Sequence, residues 1–471
     1  MMGHDVIVIG AGPAGMSAAT TAAESGAKVL LLDDQPAPGG QIYRGIENAP
    51  KSRTDILGED YLCGQSLAAR FRRSGADYQP DTDVWQVTDE GEVGYSAEGR
   101  ATLVRTPWIV IATGAMERPF PVQGWTLPGV MMAGAAQTLL KSSAIAAEGA
   151  VFAGCGPLLY LIVHQYLRAG ISVAAVIDTT DRANRKRALL HIPAALSRWD
   201  LLAKGRRWMH EIKRSGTPVI TGVTDLRICG EDAADGVAYR VGKGVWQEIA
   251  SPHVFLHQGV VPNVNLSMSV GLTHDWDRRQ LCWRPRTDEW GQASVDGIVI
   301  AGDGAGIHGA LAAQAAGEIS ALGILCKAGQ IAVPMRDQKA QVLRRILAKE
   351  QRIRPFLDAW FRPADHFRVP RDDGAIVCRC EELTFKDIVD TIDIGLAGPN
   401  QLKSFCRAGM GPCQGRFCGL TVQELIARET AQTAEAVGYY RLRPPIKPLL
   451  LEELANLQFS EMDDDAASKN C

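Results

Sequence analysis

The chain has 471 residues, of which 46% are hydrophobic and 22% charged, and its 50 Lys and Arg against 53 Asp and Glu leave a net charge of -3. That length exceeds what one hydrophobic core organises and predicts two to four domains, while the near-balanced charge supplies no field to draw the protein to nucleic acid. No uninterrupted apolar run approaches the roughly 20 residues that a spanning helix needs, so no transmembrane segment is expected.

The first strand begins at residue 5, which leaves no room for a basic, then apolar, then cleavable leader and points to the cytoplasm. Residues 4–34 read as strand, glycine turn, helix and strand, a βαβ opening. Within VIVIGAGPAGMSAA, Gly10, Gly12 and Gly15 satisfy G-x-G-x-x-G after a strand and at a helix start. A tight turn, close approach of backbone to a pyrophosphate and helix–strand contact each need a residue without a side chain. Asp33, 23 positions after Gly10, is placed to accept hydrogen bonds from an adenosine ribose and disfavours a 2'-phosphate there.

Further along, WIVIATGAMERP (108–119) reads as a buried strand running into a small-residue turn. A second βαβ follows at 150–178, with Gly154 and Gly156 in its turn and Asp178 placed for a ribose. Leu159, however, stands where Gly or Ala normally lets the helix approach, so NADH binding is disfavoured and another adenine nucleotide remains open. The basic residues Arg182, Arg185, Lys186 and Arg187 read as a solvated helix face. DGIVIAGDGAG (296–306) is a further strand and glycine turn, leading into an Ala- and Gly-rich helix over 308–321.

From about residue 330 the composition changes. Residues 336–354 form a basic amphipathic segment whose Val342, Leu343, Ile346, Leu347 and Ile353 predict a linker helix packed on the main body. Pro355, Pro363 and Pro370 punctuate a connector. Thr384 with Asp387 then predicts a capping-box start to a short helix, and 420–428 reads as another. The Pro-rich, then apolar segment 442–454 either clasps a partner or packs back on its own body, and an acidic tail from Glu461 is expected to be disordered.

Eleven cysteines divide into four with paired spacing and seven scattered ones. Cys378 and Cys380 form C-x-C, and Cys413 and Cys418 follow after a gap of 32 residues. Four thiolates suit tetrahedral zinc or an iron–sulfur cluster, and tight C-x-C spacing is awkward for zinc. Cys406 is an alternative fourth ligand. Backbone N–H groups around Gly409, Gly411 and Gly415 are placed to tune cluster sulfurs. The scattered Cys63, Cys155, Cys229, Cys282, Cys326, Cys406 and Cys471 are expected to be buried small hydrophobes. None forms a C-x-x-C beside the first glycine loop, and the nine histidines show no ligand-like or triad-like spacing.

Taken together, Asp303 in AGDG, the ATG of Ala112, Thr113 and Gly114, and the GGQ of Gly39, Gly40 and Gln41 resemble the signatures of the two-domain flavoprotein family that includes thioredoxin and glutathione reductases. This resemblance implies FAD held by Gly10, Gly12, Pro13, Ala14, Gly15, Asp33, Asp34, Gly40, Gln41, Ala112, Thr113, Gly114, Gly302 and Asp303, the last contacting the ribityl chain. The region around the four cysteines is similar to the bacterioferritin-associated ferredoxin family, which implies a [2Fe-2S] cluster, although that family has C-x2-C where this chain has C-x4-C. The expected fold is α/β: a two-domain flavoprotein with two Rossmann-type units, plus a small, mainly helical [2Fe-2S] domain. Its expected parts are an FAD-binding domain at 1–118 and 263–330, an inserted NAD-binding-like domain at 119–262, a helical linker at 331–371, the ferredoxin-like domain at 372–440 and a tail at 441–471.

With LLLDDQPAPGGQIYR, ERPFPVQGWTLPGV and GMGPCQGRFC, nearly the whole chain resembles the alpha subunit of heteromeric bacterial amine dehydrogenases. That family includes opine oxidases, dye-linked proline and hydroxyproline dehydrogenases and the middle subunit of hydrogen cyanide synthase. The resemblance implies an electron-transfer role beside a beta subunit similar to D-amino-acid and glycine oxidases, which oxidises the amine at its own FAD. It also implies a small [2Fe-2S] gamma subunit, FMN or an adenine nucleotide as further cofactors, and a quinone or dye acceptor that gives the chain a peripheral place at the inner membrane. Two other readings stay open: a self-sufficient NAD(P)H-dependent reductase, and a non-catalytic assembly subunit stabilised by its nucleotide.

Overall fold

In the computed structural model, residues 3–396 and 398–460 are described. Residues from 461 onward, with the acidic tail and Cys471, lie outside them. Five parallel strands form the first sheet in the order Ile298–Ile300, Trp108–Ile111, Val6–Ile9, Val29–Leu32 and Asp77–Gln79. The two strands Val6–Ile9 and Val29–Leu32 are buried at every position. Such continuous aliphatic runs fit a sheet covered on both faces.

Gly12 and Pro13 start the helix Pro13–Glu24, and Gly26, at φ +96, turns the chain after it. Its small side chains let the helix Ala310–Lys327 lie close against it: a Cβ on Gly317 would collide with the Ala14 carbonyl. The Ala310–Lys327 helix starts two residues later and ends six later than the sequence suggests. The late start follows from Asp303 Oδ1, which accepts from the N–H groups of His308 (2.9 Å) and Gly309 (3.0 Å). Buried Leu322, Ile324 and Leu325 carry the helix on.

The second sheet is also parallel, ordered Val219–Thr221, Val173–Asp178, Ala150–Cys155, Val254–Gln258 and Val130–Met132. Strands Ala115–Glu117 and Val260–Pro262 pair antiparallel where the chain leaves the first sheet for the second and returns. They form the waist between the two units. Helix Val333–Gln351 buries only Ala340, while Val342 (57%) and Ile346 (38%) stay exposed, so the predicted apolar stripe is only partly covered. Two of its arginines instead stack on Trp290, Arg336 at 4.2 Å and Arg344 at 4.5 Å.

The cysteine-bearing region packs Ile388, Ile392, Leu402, Val422, Leu425 and Ile426 into a core of its own. Thr384 and Asp387 form the predicted reciprocal capping box at the start of helix Phe385–Ile392. The segment after residue 440 packs back on the body in part, while Leu450, Leu451 and Leu454 stay exposed. Leu442 joins the cysteine-region core, Ile446 joins the first sheet's core, and strand Gln458–Ser460 extends Arg100–Arg105 in parallel. The scattered cysteines are not uniformly buried as expected: Cys155 and Cys282 are, Cys229, Cys326 and Cys406 are half-buried, and Cys63 is exposed. Cys63 lies on the outer side of helix Glu59–Arg73, where no second layer covers it.

One buried charge network joins the cysteine region to the waist. Arg118, directly after Ala115–Glu117, donates to the carbonyls of Gln280 (2.8 Å) and Leu281 (2.7 Å) and lies 3.8 Å from Glu424. Glu424 also takes Arg368 at 2.6 Å, and all three side chains are at most 8% exposed. Burial pushes the Arg118 guanidinium down, against the pull of Glu424. Replacing Glu424 with Ala leaves the buried Arg118 without a carboxylate and Arg368 with Asp365 alone. The expected loss is about 3–5 kcal/mol, read as a lower denaturation midpoint, and an unchanged midpoint would mean that the network contributes nothing to stability.

Candidate functional site

At the first glycine loop the backbone is drawn tight. Gly10 has φ +102, and a Cβ there would lie 2.7 Å from the Ala112 carbonyl oxygen. Any side chain on Gly15 would strike the Gly10 carbonyl. Gly39 N donates to the Ala11 carbonyl (2.8 Å), and a Cβ on Gly40 would come within 2.8 Å of Gly12 Cα, so the GGQ segment rests on the loop. Gly302, at φ +75, closes the group against Ala14. A Cβ built on Gly12 or Gly114 would meet nothing within 4 Å, which leaves an open cradle at the helix start. Asn263 N donates to the Gly114 carbonyl (2.9 Å), and Thr113 Oγ1 donates to the Asn263 carbonyl (3.2 Å), tying the ATG turn to the waist.

Asp33 is the informative side chain. Its Oδ1 accepts from Ala11 N at 3.1 Å, and its buried Oδ2 has no partner. Burial pushes the carboxyl up to about 6. An orphaned buried acceptor beside an open cradle fits an adenosine ribose hydroxyl. Asp34 is engaged differently, by Lys447 at 3.1 Å; burial opposes its charge, but Lys447, the Gln35 amide and Arg44 together hold the carboxyl down. Gln41 enters through its backbone, its carbonyl accepting from Lys141 Nζ (2.9 Å), a buried amine that burial pushes down to about 7.

The second glycine loop contrasts at each point. Both oxygens of Asp178 are taken, Oδ2 by the Tyr160 hydroxyl (2.6 Å) and Oδ1 by Thr180 N (2.8 Å). Side chains on Gly154 or Gly156 would run into His257. Cys155 Sγ faces the Phe361 carbonyl at 3.6 Å, and Asn184 Nδ2 donates to the carbonyls of Trp360 (3.1 Å) and Arg362 (2.8 Å). The chain's own connector therefore lies across this loop. Leu159 is fully buried, and Arg182, Arg185, Lys186 and Arg187 are exposed.

Among the four paired cysteines, Cys378 ends strand Ile376–Cys378, Cys380 lies in the following turn, Cys413 in the loop after helix Pro399–Cys406, and Cys418 caps helix Gly419–Glu429. Their thiols associate two by two. Hydrogen bonding from Cys418 pulls Cys378 down to about 6 against burial, helped by the N–H groups of Gly409, Glu381 and Cys380. The same bond, then burial, pushes Cys418 up. Cys380 is raised by burial first, and its neighbour is Cys413. Among the described residues, the group of three or more His, Cys, Asp or Glu ligand atoms mutually within 4.8 Å is Cys229, Asp235 and Glu248 on an outer sheet. Charge further couples Cys380 to Cys378 and Cys418 to Cys413, so the four thiols share one neighbourhood. Two pairs suit two irons with two thiolates each.

Glycines make room for this arrangement. A Cβ on Gly411 would strike Cys380 Cβ, and Cβ atoms on Gly409 and Gly415 would lie 2.6 and 2.7 Å from the Tyr440 ring. The Tyr440 hydroxyl is 3.9 Å from Cys418 Sγ. Cys406 donates instead to the Leu402 carbonyl of its own helix at 3.4 Å. Three contacts seat the cysteine region: Asn265 Nδ2 donates to the Gln414 carbonyl (3.0 Å), Trp283 Nε1 to Gln423 Oε1 (2.9 Å) and Trp125 Nε1 to the Ile376 carbonyl (2.7 Å). Between the waist and the Cys413 loop lies a small cavity lined by Met116, Val261, Asn265, Trp283, Arg416 and Tyr439. Sequence spacing gave no hint of the buried His257, whose Nδ1 lies 2.5 Å from Glu117 Oε1 at the waist, because the two are 140 residues apart.

The pyridine nucleotide-disulphide oxidoreductase family matches residues 4–155, and the sarcosine oxidase A3 domain matches residues 374–457. The opine oxidase A subunit of Rhizobium meliloti is 43% identical over 463 residues, covering 96% of this chain and 88% of that protein. Hydrogen cyanide synthase subunit HcnB of Pseudomonas protegens is 30% identical over 464 residues, covering 95% and 97%. Among solved structures, L-proline dehydrogenase from P. horikoshii superposes with a TM-score of 0.70 at 19% identity, over 96% of this chain and 79% of that one, which supports the fold.

If Asp33 accepts a ribose hydroxyl as a carboxylate, protonation weakens that bond. FAD retention should therefore fall as pH drops through about 6, and Asp33→Asn should lose roughly tenfold in affinity and show no such step. Equilibrium dialysis against free FAD measures both. Gly411→Ala should strip iron while FAD stays bound, as read by iron and flavin content; full iron would place the metal elsewhere.

Proposed function

The chain belongs to the family of opine oxidase A subunits, and from that premise we propose that it is the electron-relay subunit of an enzyme that oxidatively cleaves a secondary amine, with an opine such as octopine or nopaline favoured over proline or hydroxyproline. The chain is an FAD-dependent oxidoreductase subunit that works with partner subunits. On the proposed reading, a beta subunit similar to D-amino-acid and glycine oxidases binds and oxidises the amine, the complex includes a small gamma subunit, and a quinone or dye takes the electrons.

The observation that carries this reading is the two-by-two pairing of Cys378 with Cys418 and Cys380 with Cys413, seated on the waist through Asn265 and Gln414. When bound, FAD would take up electrons as a pair, and a [2Fe-2S] cluster would pass them singly. The chain's residues supply the setting. Asp33 offers a ribose acceptor, the Gly10–Gly15 turn offers backbone N–H groups and a helix start to a pyrophosphate, and Asp303 lies at the glycine turn that resembles the ribityl-contacting one. The N–H groups of Gly409, Glu381 and Cys380 point at Cys378 and favour its thiolate. Substrate chemistry belongs to the partner on this account.

A self-sufficient NAD(P)H reductase is disfavoured by the Tyr160 and Thr180 partners already on Asp178 and by the connector across Cys155. The purified chain, made anaerobic and given NADH, should keep its flavin oxidised, whereas the chain with its co-expressed partners should bleach on addition of an opine. Bleaching by NADH alone would overturn the reading. Cys380→Ser should abolish the cluster's visible absorbance and dye-linked turnover with FAD retained; undiminished turnover would make the site structural.

A further inference from the structure

Residues 182–214 form a helical shoulder on the second sheet, comprising helices Ala183–Leu189, Ile192–Leu196 and Trp199–Arg214. Its inner side is fully used. Asn184 holds the connector, Ala188, Ala195 and Ile212 are buried, and the buried Arg198 pairs with Asp200 and Glu350. What remains outside is strongly apolar at one corner: Leu189 (60% exposed), Leu190 (82%), Leu196 (60%) and Trp199 (71%), with Ile192 beside them. Ile192 and Leu196 are four apart on one helix and share a face.

Charge around this corner is one-sided. The 33 residues hold ten Lys and Arg against Asp200 and Glu211, a net +8 in a chain of net -3. Asp200 is engaged by Arg198 and Glu211 by His164, so the exposed Arg185, Lys186, Arg187, Arg206 and Arg207 are uncompensated within the segment.

We propose that this corner is a docking surface for an anionic lipid bilayer, with the leucines and Trp199 entering the headgroup boundary and the surrounding cations meeting lipid phosphates. Leucine and tryptophan bordered by Lys and Arg is the chemistry of interfacial binding. The run Arg185–Arg187 closely precedes the exposed Leu189 and Leu190, which sets cations beside the apolar corner as an interfacial helix does. No helix among the described residues is long and apolar enough to cross a membrane, so the chain lies on the surface. This surface goes beyond the electron-relay reading and does not rest on it.

The test is co-sedimentation of the full-length holoprotein, alone and with its partner subunits, with vesicles of phosphatidylglycerol and phosphatidylcholine. Binding is expected on the anionic vesicles, absent on pure phosphatidylcholine, and released when salt shortens the screening length to about 3 Å. Reversing Arg185, Lys186 and Arg187 to Glu should lower partitioning roughly a hundredfold. The separate double variant Leu190→Asp, Trp199→Asp should abolish it. Unchanged flavin content and thermal midpoint would show both variants folded, since every altered side chain is exposed. Failure to bind anionic vesicles, or binding undiminished in both variants, overturns the proposal. Loss of the partner subunits from either variant, with vesicle binding unchanged, reassigns the corner to a protein partner.

Discussion

Glu424 holds two buried guanidiniums that come from different parts of the chain, Arg118 at the waist and Arg368 on the connector. The helix that presents Glu424 is the one capped by Cys418. A buried ion pair contributes little net stability compared with well-packed apolar residues, but one placement satisfies it and neighbouring placements leave a charge stranded. Here the satisfied placement sets the cysteine pairs against the waist, where Asn265 and Trp283 complete the seating. Apolar packing alone would tolerate sliding along that contact.

The two glycine loops show how one supersecondary unit can keep or lose a ligand site. Each is strand, glycine turn and helix, each has an aspartate where its second strand ends, and each aspartate is held by one backbone N–H. The difference lies in the other carboxylate oxygen. At Asp33 it is buried and unpartnered; at Asp178 the Tyr160 hydroxyl has it. An unsatisfied buried acceptor costs free energy, which a ligand donor can recover, and one that already holds a partner gains less from a second. Tyr160 follows Leu159, so the residue that departs from the fingerprint and the one that fills the site are neighbours in sequence.

Much of the fold was legible because its signals are local. Buried runs such as Val6–Ile9, the turn glycines, and the Thr384–Asp387 box each declare themselves within a few residues. The four cysteines were legible as a set, but their partition into pairs was not, because C-x-C spacing suggests that Cys378 and Cys380 act together and the fold couples each to the far loop instead. Contacts across long separations left no trace in spacing, as with Glu117 and His257, or Arg118 and Glu424. The Pro-rich segment near residue 446 reads equally as a partner clasp or as packing back on the body, and the fold places Ile446 in a core built from residues far earlier in the chain.

The order of strands in the first sheet has a kinetic consequence. Val6–Ile9, Val29–Leu32, Asp77–Gln79 and Trp108–Ile111 leave the ribosome early, but the strand that covers Trp108–Ile111, Ile298–Ile300, is made almost 190 residues later. At ordinary translation speeds that interval is on the order of ten seconds or more. Throughout it the nascent sheet presents an open edge beside Trp108–Ile111, the kind of edge that recruits strands from other chains. The second sheet, wholly contained within the interval, can fold first and shield it. Slower synthesis before residue 300, or a chaperone bound there, would act on this unfinished edge.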